Sequence, residues 1–454
     1  MRRLSGPALR AAISLAFCLA LAATAGAQAV FDRAEFAARR ARLFEQIKGS
    51  VVVLFAAEPH VHAVKFRQAP DFYYLTGIED PGAVLLLNGR TREAFVFAAR
   101  RPEWKVAVEG PGLLEGERPA ERYGLTGAAP LENFLGALAS AAQGAGKIYL
   151  PLMAPDTLQM GRGEMARHEE ELAAHPLFGR APAHAQAVER IRRLHPRASF
   201  ADVSPLLDRL RRVKSPYEIE LLRRSGRIGA ESFKAAMRGT RPGAHEYEVE
   251  AAARFVVIRS GARGDAFTPI VASGPNTITW HYQANSRRME EGDVVLMDYG
   301  ADYGYYTSDV TRTWPVSGSF TPEQEKMYRT ILEARDAVIA AIKPGATVKQ
   351  LKAVAEEVYR RHGFHQQFLE LRRYVGHPVG ISVHDVEFGD DLPLEAGVVF
   401  NVEPLLELRD RRIHMRLEDT VLVTPGGAEN LTAGVPADIP SVYALVRQKP
   451  FCVE

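Results

Sequence analysis

Cysteine is almost absent from this chain of 454 residues, which contains only Cys18 and Cys452. Cys18 lies in an N-terminal segment that we expect to be removed, so the mature protein keeps one cysteine and forms no intrachain disulfide. Its stability has to come from a hydrophobic core instead. With 46% hydrophobic residues, the chain is long and apolar enough to build two or three domains.

A large net charge and a phosphate-binding loop are absent as well. The N-terminal segment carries three arginines and no acidic residue, so its removal leaves 54 basic against 55 acidic side chains. A nearly neutral chain provides no general nucleic-acid-binding surface. No glycine-rich loop follows a predicted strand, so a nucleotide-binding function has no support either.

Long hydrophobic runs are limited to one, at residues 11–23. Three arginines precede this run, and small residues follow it with A-x-A cleavage sites at residues 25–27 and 27–29. The run is short for a membrane span but typical of a signal peptide. We therefore expect residues 1–29 to be a signal peptide, and the mature protein to be secreted or periplasmic without stable membrane insertion. An uncleaved N-terminal anchor is the alternative.

The first half of the remaining chain predicts a mixed α/β domain over residues 30–204. Short apolar runs predict strands, and amphipathic periodicity predicts helices between them. The strands are expected at residues 51–55, 71–77, 83–87, 94–97 and 147–150, and the helices at residues 31–46 and 131–142. Strands that alternate with helices favour an α/β fold with a mixed sheet.

The second half, residues 205–454, predicts helices that back an antiparallel sheet. Three helices begin with capping boxes, at Ser215, Thr321 and Thr347, each with Glu or Gln three residues later. Two β-hairpins with acidic residues lie between these helices in the chain. Helix pairs packed behind a curved antiparallel sheet would bring both hairpins to one concave face.

The first hairpin contains Asp298 and Asp309. A turn centred between Tyr303 and Gly304 would place the two aspartates directly opposite each other. Like charges in that arrangement destabilise a hairpin, so the pair requires a bound cation or a shared proton.

The second hairpin has its turn centred between Asp410 and Arg411, which pairs Glu403 with Glu418. Four carboxylates from two hairpins are too many to share protons, whereas two divalent cations would neutralise them. Two ordinary solvent-facing acidic pairs are the alternative. His377, which lies between the hairpins in the chain, favours the metal site.

Short motifs follow one another through the second half of the chain. They are Arg212-Val213-Lys214-Ser215-Pro216-Tyr217-Glu218-Ile219, Trp280-His281-Tyr282, Asp298-Tyr299-Gly300, Ser308-Asp309-Val310-Thr311-Arg312, Gly376-His377, Val383-His384-Asp385, Val402-Glu403-Pro404 and Arg416-Leu417-Glu418-Asp419. This series resembles the metallopeptidases of the pita-bread fold, the clan of methionine aminopeptidase and aminopeptidase P. Residues 66–77 and 81–85 resemble the N-terminal domain of Xaa-Pro aminopeptidases. The resemblance implies an N-terminal α/β domain followed by a pita-bread catalytic domain, a curved antiparallel sheet backed by helices.

The resemblance implies a dinuclear-metal exopeptidase that hydrolyses the N-terminal Xaa-Pro bond of peptides through a hydroxide bridging the two ions. The metal ligands would be Asp298, Asp309, His377, Glu403 and Glu418. Glu403 would also shuttle protons, and His281 and His384 would contact the substrate or the tetrahedral intermediate. One histidine with four carboxylates suits two Mn²⁺ ions, with Co²⁺ or Zn²⁺ as alternatives. The implied partners are peptides with proline in second position and further copies of the chain, assembled through the N-terminal domain.

One position departs from the family pattern. Relatives usually carry a histidine four residues before the metal-binding one, where this chain has Arg373. That position lines the pocket for the residue after the scissile bond, so Arg373 puts the proline preference in question and could read a substrate carboxylate. A prolidase acting on Xaa-Pro dipeptides is therefore an alternative, as is a non-catalytic peptide-binding relative. Arg416 shares strand parity with Glu418 and is expected to steady a metal-bound carboxylate without binding the metal.

Overall fold

The computed structural model describes residues 32–59 and 65–449 of the chain. The predicted signal peptide, Cys18 and Cys452 lie outside these residues. Within the described ranges, no helix combines the length and the apolar character that a membrane span requires.

A six-stranded sheet organises the N-terminal part of the chain. Its strands are β1 (Val51–Phe55), β2 (Val84–Asn88), β3 (Glu93–Ala98), β4 (Gly127–Pro130), β5 (Ile148–Leu150) and β6 (Phe200–Asp202). They are ordered β4-β3-β2-β1-β5-β6, and β1 runs antiparallel to β2 but parallel to β5. The valine-rich β1 is almost completely buried because both faces of the sheet are covered. The predicted mixed sheet is confirmed.

Helices lie on the two faces and at the edges of this sheet. They are α1 (Arg33–Gln46), α2 (Pro70–Thr76), α3 (Glu103–Glu109), α4 (Pro119–Arg122), α5 (Phe134–Ala142), α6 (Arg162–Ala173) and α7 (Ala183–Leu194). An eighth helix, α8 (Ser204–Arg212), leads into the C-terminal part of the chain.

The predicted strand at residues 71–77 is wrong, because this segment forms α2. α2 has Pro70 in its first turn and ends at Gly77, whose φ is 66°. Proline at the start and glycine just past the end are helix signals that outweigh the aromatic residues between them. As a consequence, Asp71 accepts hydrogen bonds from Arg162 and Arg211, each at 2.7 Å.

The C-terminal helices are α9 (Pro216–Gly239), α10 (Glu246–Arg259), α11 (Pro322–Ala341), α12 (Val348–Arg361), α13 (His365–Glu370) and α14 (Ile439–Val446). The capping boxes predicted at Ser215, Thr321 and Thr347 are all formed, and they begin α9, α11 and α12. α12 closes at Arg361, two residues before Gly363.

Antiparallel strands form the C-terminal sheets. They are β7 (Gly264–Asp265), β8 (Ile270–Ser273), β9 (Val294–Tyr299), β10 (Ala301–Tyr303), β11 (Tyr306–Thr307), β12 (Val310–Pro315), β13 (Val399–Val402), β14 (Leu405–Leu408), β15 (Ile413–Arg416), β16 (Asp419–Thr424) and β17 (Gly427–Asn430). A β-bridge between Thr311 and Glu418 joins the sheet of β8, β9 and β12 to the hairpin that contains β13 and β16. This junction brings the two acidic hairpins into contact.

Apolar packing places the helices behind the strands. Met297 in β9 and Trp314 in β12 are fully buried in one cluster with Phe233 of α9. Phe400 in β13 packs in a second cluster with Met327 of α11 and other buried side chains of α11 and α12. Because side chains alternate along a strand, Asp298 faces away from Met297 and toward the junction of the hairpins.

Candidate metal centre and active site

The first hairpin has a register that differs by two residues from the predicted one. Asp298 pairs with Thr311 rather than with Asp309, because the turn is formed by Gly304 and Tyr305, with φ of 60° and 71°. Two consecutive residues with positive φ are typical of a tight type I′ hairpin turn. A shift of two residues keeps Asp309 on the face of Asp298, so the two carboxylates remain diagonal neighbours.

The second hairpin has the predicted register. Val402 pairs with Asp419 and Leu405 pairs with Arg416, which leaves Glu403 and Glu418 at intervening positions of the same ladder.

Thr311 is one of the residues that connect the two hairpins. Its backbone accepts a hydrogen bond from the Glu418 amide at 3.0 Å, and its hydroxyl donates to the Glu418 carboxylate. Asn401 donates to the other Glu418 oxygen at 2.5 Å. The Glu418 carboxylate is therefore held in place from both hairpins.

His377 reaches the same point from the loop before β13. Its carbonyl accepts a hydrogen bond from the Asn401 amide at 2.7 Å. Gly376 makes this approach feasible, because its φ is 141° and a Cβ atom there would collide with the Asn401 carbonyl. His377 Nε2 lies 3.3 Å from Asp309 Oδ2 and 3.5 Å from Glu403 Oε1. Ligand atoms of Asp309, His377 and Glu418 all lie within 4.8 Å of one another.

The donor atoms fit hard divalent cations. Oδ1 of Asp298 and Oδ1 of Asp309 are buried and have no hydrogen-bond partner among the described residues. Buried carboxylate oxygens without a partner are costly, so two of them in one acidic cluster fit a site for divalent cations. Oxygen-rich sets with one imidazole suit Mn²⁺ and similar ions.

The pKa shifts of the clustered side chains in the metal-free protein also fit a cation site. Burial, together with the charges of Asp309 and Glu403, raises the pKa of Asp298 and of Glu418 well above the usual range, although Arg416 opposes the shift. Burial would lower the pKa of His377, but its hydrogen bond with Asp309 and the charges of Glu403 and Asp309 raise it to about 9. Without cations, the site therefore holds protons.

Arg416 lies behind the acidic cluster. Its guanidinium pairs with Asp298, donates to the Thr311 hydroxyl at 3.0 Å, and lies 3.9 Å from oxygens of Glu403 and Glu418. It is buried, and its pKa is raised despite desolvation because these carboxylates surround it. Arg416 is thus placed where it can orient the carboxylates without binding a cation.

His281 and His384 approach the cluster from two further segments. The His384 ring lies 4.1 Å from the His377 ring, measured between centroids. The His281 side chain is exposed, but partial desolvation together with the charges of Arg416 and His384 lowers its pKa. The neighbouring Trp280 donates to Glu407 at 3.0 Å, which anchors the segment that carries His281.

Arg373 pairs with an acidic residue of α12. Its guanidinium donates to Glu356 at 2.9 Å, with 51% of the Arg373 side chain exposed. The next residue occupies the site instead, because the Tyr374 hydroxyl donates to Glu403 Oε1 at 2.5 Å. Burial and the Glu403 charge raise the pKa of Tyr374, so the phenol keeps its proton. The predicted substrate contact of Arg373 is not supported by this placement.

Strained backbone conformations immediately precede Tyr374. Arg372 and Arg373 both have left-handed conformations, with φ of 56° and 55°. Such conformations are unfavourable for arginine and tend to occur at functional sites. They turn the chain so that Tyr374 faces inward. The sequence analysis assigned no role to Tyr374 or to Thr311.

Comparisons with known proteins agree with this geometry. Residues 220–425 match metallopeptidase family M24, and residues 36–149 match the aminopeptidase P N-terminal domain. The chain is 30% identical to the Xaa-Pro aminopeptidase of Escherichia coli (strain K12) over 462 residues, which covers 92% of this chain and 99% of the relative. It is 34% identical to the Xaa-Pro dipeptidase of Pyrococcus furiosus over 236 residues, which covers 51% of this chain and 66% of that relative.

Solved structures show the same architecture. Aminopeptidase P from E. coli with the inhibitor Pro-Leu superimposes with a TM-score of 0.77 at 29% identity, covering 92% of this chain and 98% of that chain. The pita-bread fold of the C-terminal part is thereby confirmed. The chain belongs to metallopeptidase family M24, as a metalloaminopeptidase of the aminopeptidase P type.

Proposed function

We propose that this protein removes the N-terminal residue from peptides with proline in second position, using two divalent ions, Mn²⁺ in preference to Co²⁺ or Zn²⁺. The observation that carries the proposal is the convergence of five ligand side chains in which two carboxylate oxygens have no hydrogen-bond partner within residues 32–59 and 65–449. The proposed ligands are Asp298, Asp309, His377, Glu403 and Glu418. Two ions bound there would supply Lewis acidity and a hydrolytic nucleophile at neutral pH.

Glu403 is suited to move the protons of the reaction. Its Oε1 lies 2.5 Å from the Tyr374 hydroxyl and 3.5 Å from His377 Nε2, so the carboxylate has a fixed orientation at the mouth of the cluster. In the proposed reaction, Glu403 takes a proton from the attacking water and delivers it to the proline nitrogen. The leaving group is then a neutral amine rather than an amide anion.

His281 and His384 would stabilise the substrate carbonyl as negative charge develops on it. The His384 ring lies 4.1 Å from the ring of His377, a proposed ligand, and the charges of Arg416 and Glu403 act on His281. Donors aimed at a developing oxyanion are usually a large catalytic contribution. Arg416 would keep Asp298 oriented, since its guanidinium pairs with that carboxylate.

Two observations favour an aminopeptidase over a dipeptidase. The aminopeptidase of E. coli is similar along 92% of this chain, whereas the dipeptidase of P. furiosus is similar along 51%. Arg373, the residue that could have read the carboxylate of a dipeptide, pairs with Glu356 on the outer surface. Longer peptides are therefore the proposed substrates.

The proposal includes export and self-assembly. Residues 1–29 have the charge pattern, the apolar run and the small residues of a signal peptide. Expression of the full-length chain in a Gram-negative host should yield a processed protein in the periplasm, whereas an unprocessed membrane-bound product would contradict export. A homo-oligomer is proposed as well, and light scattering of the mature protein tests it.

The decisive experiment compares the peptides Xaa-Pro-Yaa and Xaa-Ala-Yaa and the dipeptide Xaa-Pro with Mn²⁺-loaded mature protein and a chelated control. Chelator-sensitive cleavage of the proline tripeptide alone is the expected result. Preference for the dipeptide would indicate a prolidase, and equal cleavage of the alanine peptide would indicate a broader aminopeptidase. Absence of cleavage with stoichiometric bound metal would indicate a peptide-binding protein.

A further inference from the structure

Neither family match covers residues 150–219, here called the connector. Part of the connector lies against the segment that carries His384. The His384 amide donates to the Gln159 carbonyl at 3.2 Å, and the preceding amide, of Val383, donates to the Leu158 carbonyl at 2.8 Å. Two successive backbone hydrogen bonds therefore tie the connector to the active-site segment.

Buried ion pairs make this contact rigid. Arg211 of the connector is 1% exposed and pairs with Asp385, the residue after His384, at 2.6 Å. The same guanidinium pairs with Asp156 at 2.6 Å, and Asp156 accepts a hydrogen bond from Ser382 at 2.7 Å. The residues on both sides of His384 are thus held by connector side chains.

The connector also reaches the His384 ring itself. Glu164 Oε2 lies 2.7 Å from His384 Nδ1 and accepts a hydrogen bond from the Gly161 amide at 3.0 Å. Burial would raise the pKa of Glu164, but the hydrogen bonds from His384 and Gly161 outweigh it and lower that pKa. Glu164 is therefore an ionised carboxylate with a defined position.

We infer that Glu164 is a positioning residue for catalysis, which fixes the ring of His384 so that Nε2 faces the substrate. The inference rests on the proposed function of His384. An ionised carboxylate only accepts hydrogen bonds, so Nδ1 carries a proton and Nε2 is the nitrogen left for the substrate, where it donates to the developing oxyanion when the ring is protonated on both nitrogens. Residues that hold a functional histidine in this way typically contribute about 10–100-fold to activity or affinity.

Helix capping alone does not account for this geometry. Glu164 is the third residue of α6, but the N-cap residue is Gly161, which has no side chain with which to complete a capping box. A Cβ atom at Gly161 would lie 3.1 Å from the His384 carbonyl, so glycine lets the start of α6 approach the active-site segment closely.

Glu248 provides a matched control. It holds the same third position in α10, where its carboxylate accepts a hydrogen bond from the His245 amide at 2.8 Å and pairs with Arg241 at 3.2 Å. Neither of these contacts involves His384. Glu248→Ala therefore removes a comparable cap without touching the proposed site.

The first experiment measures kcat and KM of the metal-loaded enzyme on a proline tripeptide. Glu164→Ala should lower kcat about 10–100-fold with KM changed by less than about threefold, whereas Glu248→Ala should leave both near the wild-type values. Glu164→Gln keeps an acceptor oxygen and should retain most of kcat. Glu164→Asp withdraws the carboxylate but keeps its charge and should lose activity, which tests the inference even if the alanine variant does not fold.

A double-mutant cycle separates positioning from a general structural effect. In a His384→Ala background, Glu164→Ala should cause no further loss of kcat, because its effect acts through the missing ring. Additive losses in the cycle would contradict the inference.

A second readout does not depend on activity. In the metal-free protein labelled with ¹⁵N-histidine, the His384 signal, assigned by its loss in His384→Ala, should show a proton on Nδ1, and Glu164→Ala should change that signal. A wild-type ring with no proton on Nδ1 would overturn the inference, as would equal kcat for Glu164→Ala and Glu248→Ala, or equal losses for the Gln and Ala variants of Glu164. If the wild type cleaves no Xaa-Pro peptide, the proposed function fails, and the resonance measurement decides the inference separately.

Discussion

Proton release on metal binding is a direct consequence of the site's electrostatics. In the metal-free protein, the pKa of His377 is about 9 and the pKa values of Asp298 and Glu418 are raised well above the usual range. All three groups would have to be deprotonated to bind a cation. We therefore expect Mn²⁺ binding at neutral pH to release protons into the solvent.

The magnitude follows from His377 alone. With a pKa of about 9, about 99% of its rings carry the extra proton at pH 7, so at least about one proton leaves per site. Each displaced proton makes the apparent affinity about tenfold tighter per pH unit, or about 1.4 kcal/mol. Protonated Asp298 and Glu418 would steepen this dependence further.

Calorimetric titration of chelator-treated protein with Mn²⁺ tests the expectation. Titrations at pH 6, 7 and 8, in two buffers with different ionisation enthalpies, give the affinity and the number of protons released. His362→Gln is a suitable control because His362 pairs with Glu333 at 2.7 Å and is not a proposed ligand. An affinity independent of pH, with no proton release, would refute the reasoning about the site.

The stability of the metal-free protein should decrease as the pH rises, for the same reason. Because the folded-state pKa of His377 is raised from 6.5 to about 9, its contribution is fully present below pH 6.5 and is lost as the pH rises toward 9. The free energy of unfolding of the metal-free protein, measured in urea, should accordingly fall across this range, and saturating Mn²⁺ should reverse the fall.

Further substitutions have expected outcomes. Glu403→Gln should leave the circular dichroism spectrum unchanged but lower kcat by several orders of magnitude, and near-wild-type activity would rule out its role as proton shuttle. Tyr374→Phe removes the hydrogen bond to Glu403 and should lower kcat about tenfold. Arg373→Ala should leave KM for tripeptides and for dipeptides within about twofold of the wild-type values. Steady-state kinetics measures both effects. Arg211→Ala removes a shared ion-pair partner of the buried carboxylates Asp71, Asp156 and Asp385 and should cost about 3–5 kcal/mol in urea denaturation. Arg212→Ala, which removes the partly exposed pair with Glu395, should cost less than about 1 kcal/mol.

The registers of the two hairpins show how well a local sequence pattern predicts strand pairing. The second register followed from the polar turn between β14 and β15 and from strict alternation on both strands. The first was wrong by two residues because Tyr305 adopts a left-handed conformation that its own sequence does not favour. Tyr305 stacks on Tyr73 with ring centroids 3.4 Å apart, and its ring is flanked by Arg67 at 4.7 Å. A contact from the other half of the chain therefore stabilises the turn.

The sequence by itself determined the acidic face of the site. Strand alternation has a period of two, so it placed Asp298 with Asp309 on one face even when the register was wrong, and the motif order identified the family. Tertiary structure decided what completes that face. Tyr374 contacts Glu403 because two arginines in strained conformations turn the chain there. Glu164 contacts His384, which lies 220 residues further along the chain. Periodicity reports only on neighbours along one element, whereas such contacts depend on how the two halves of the chain pack together.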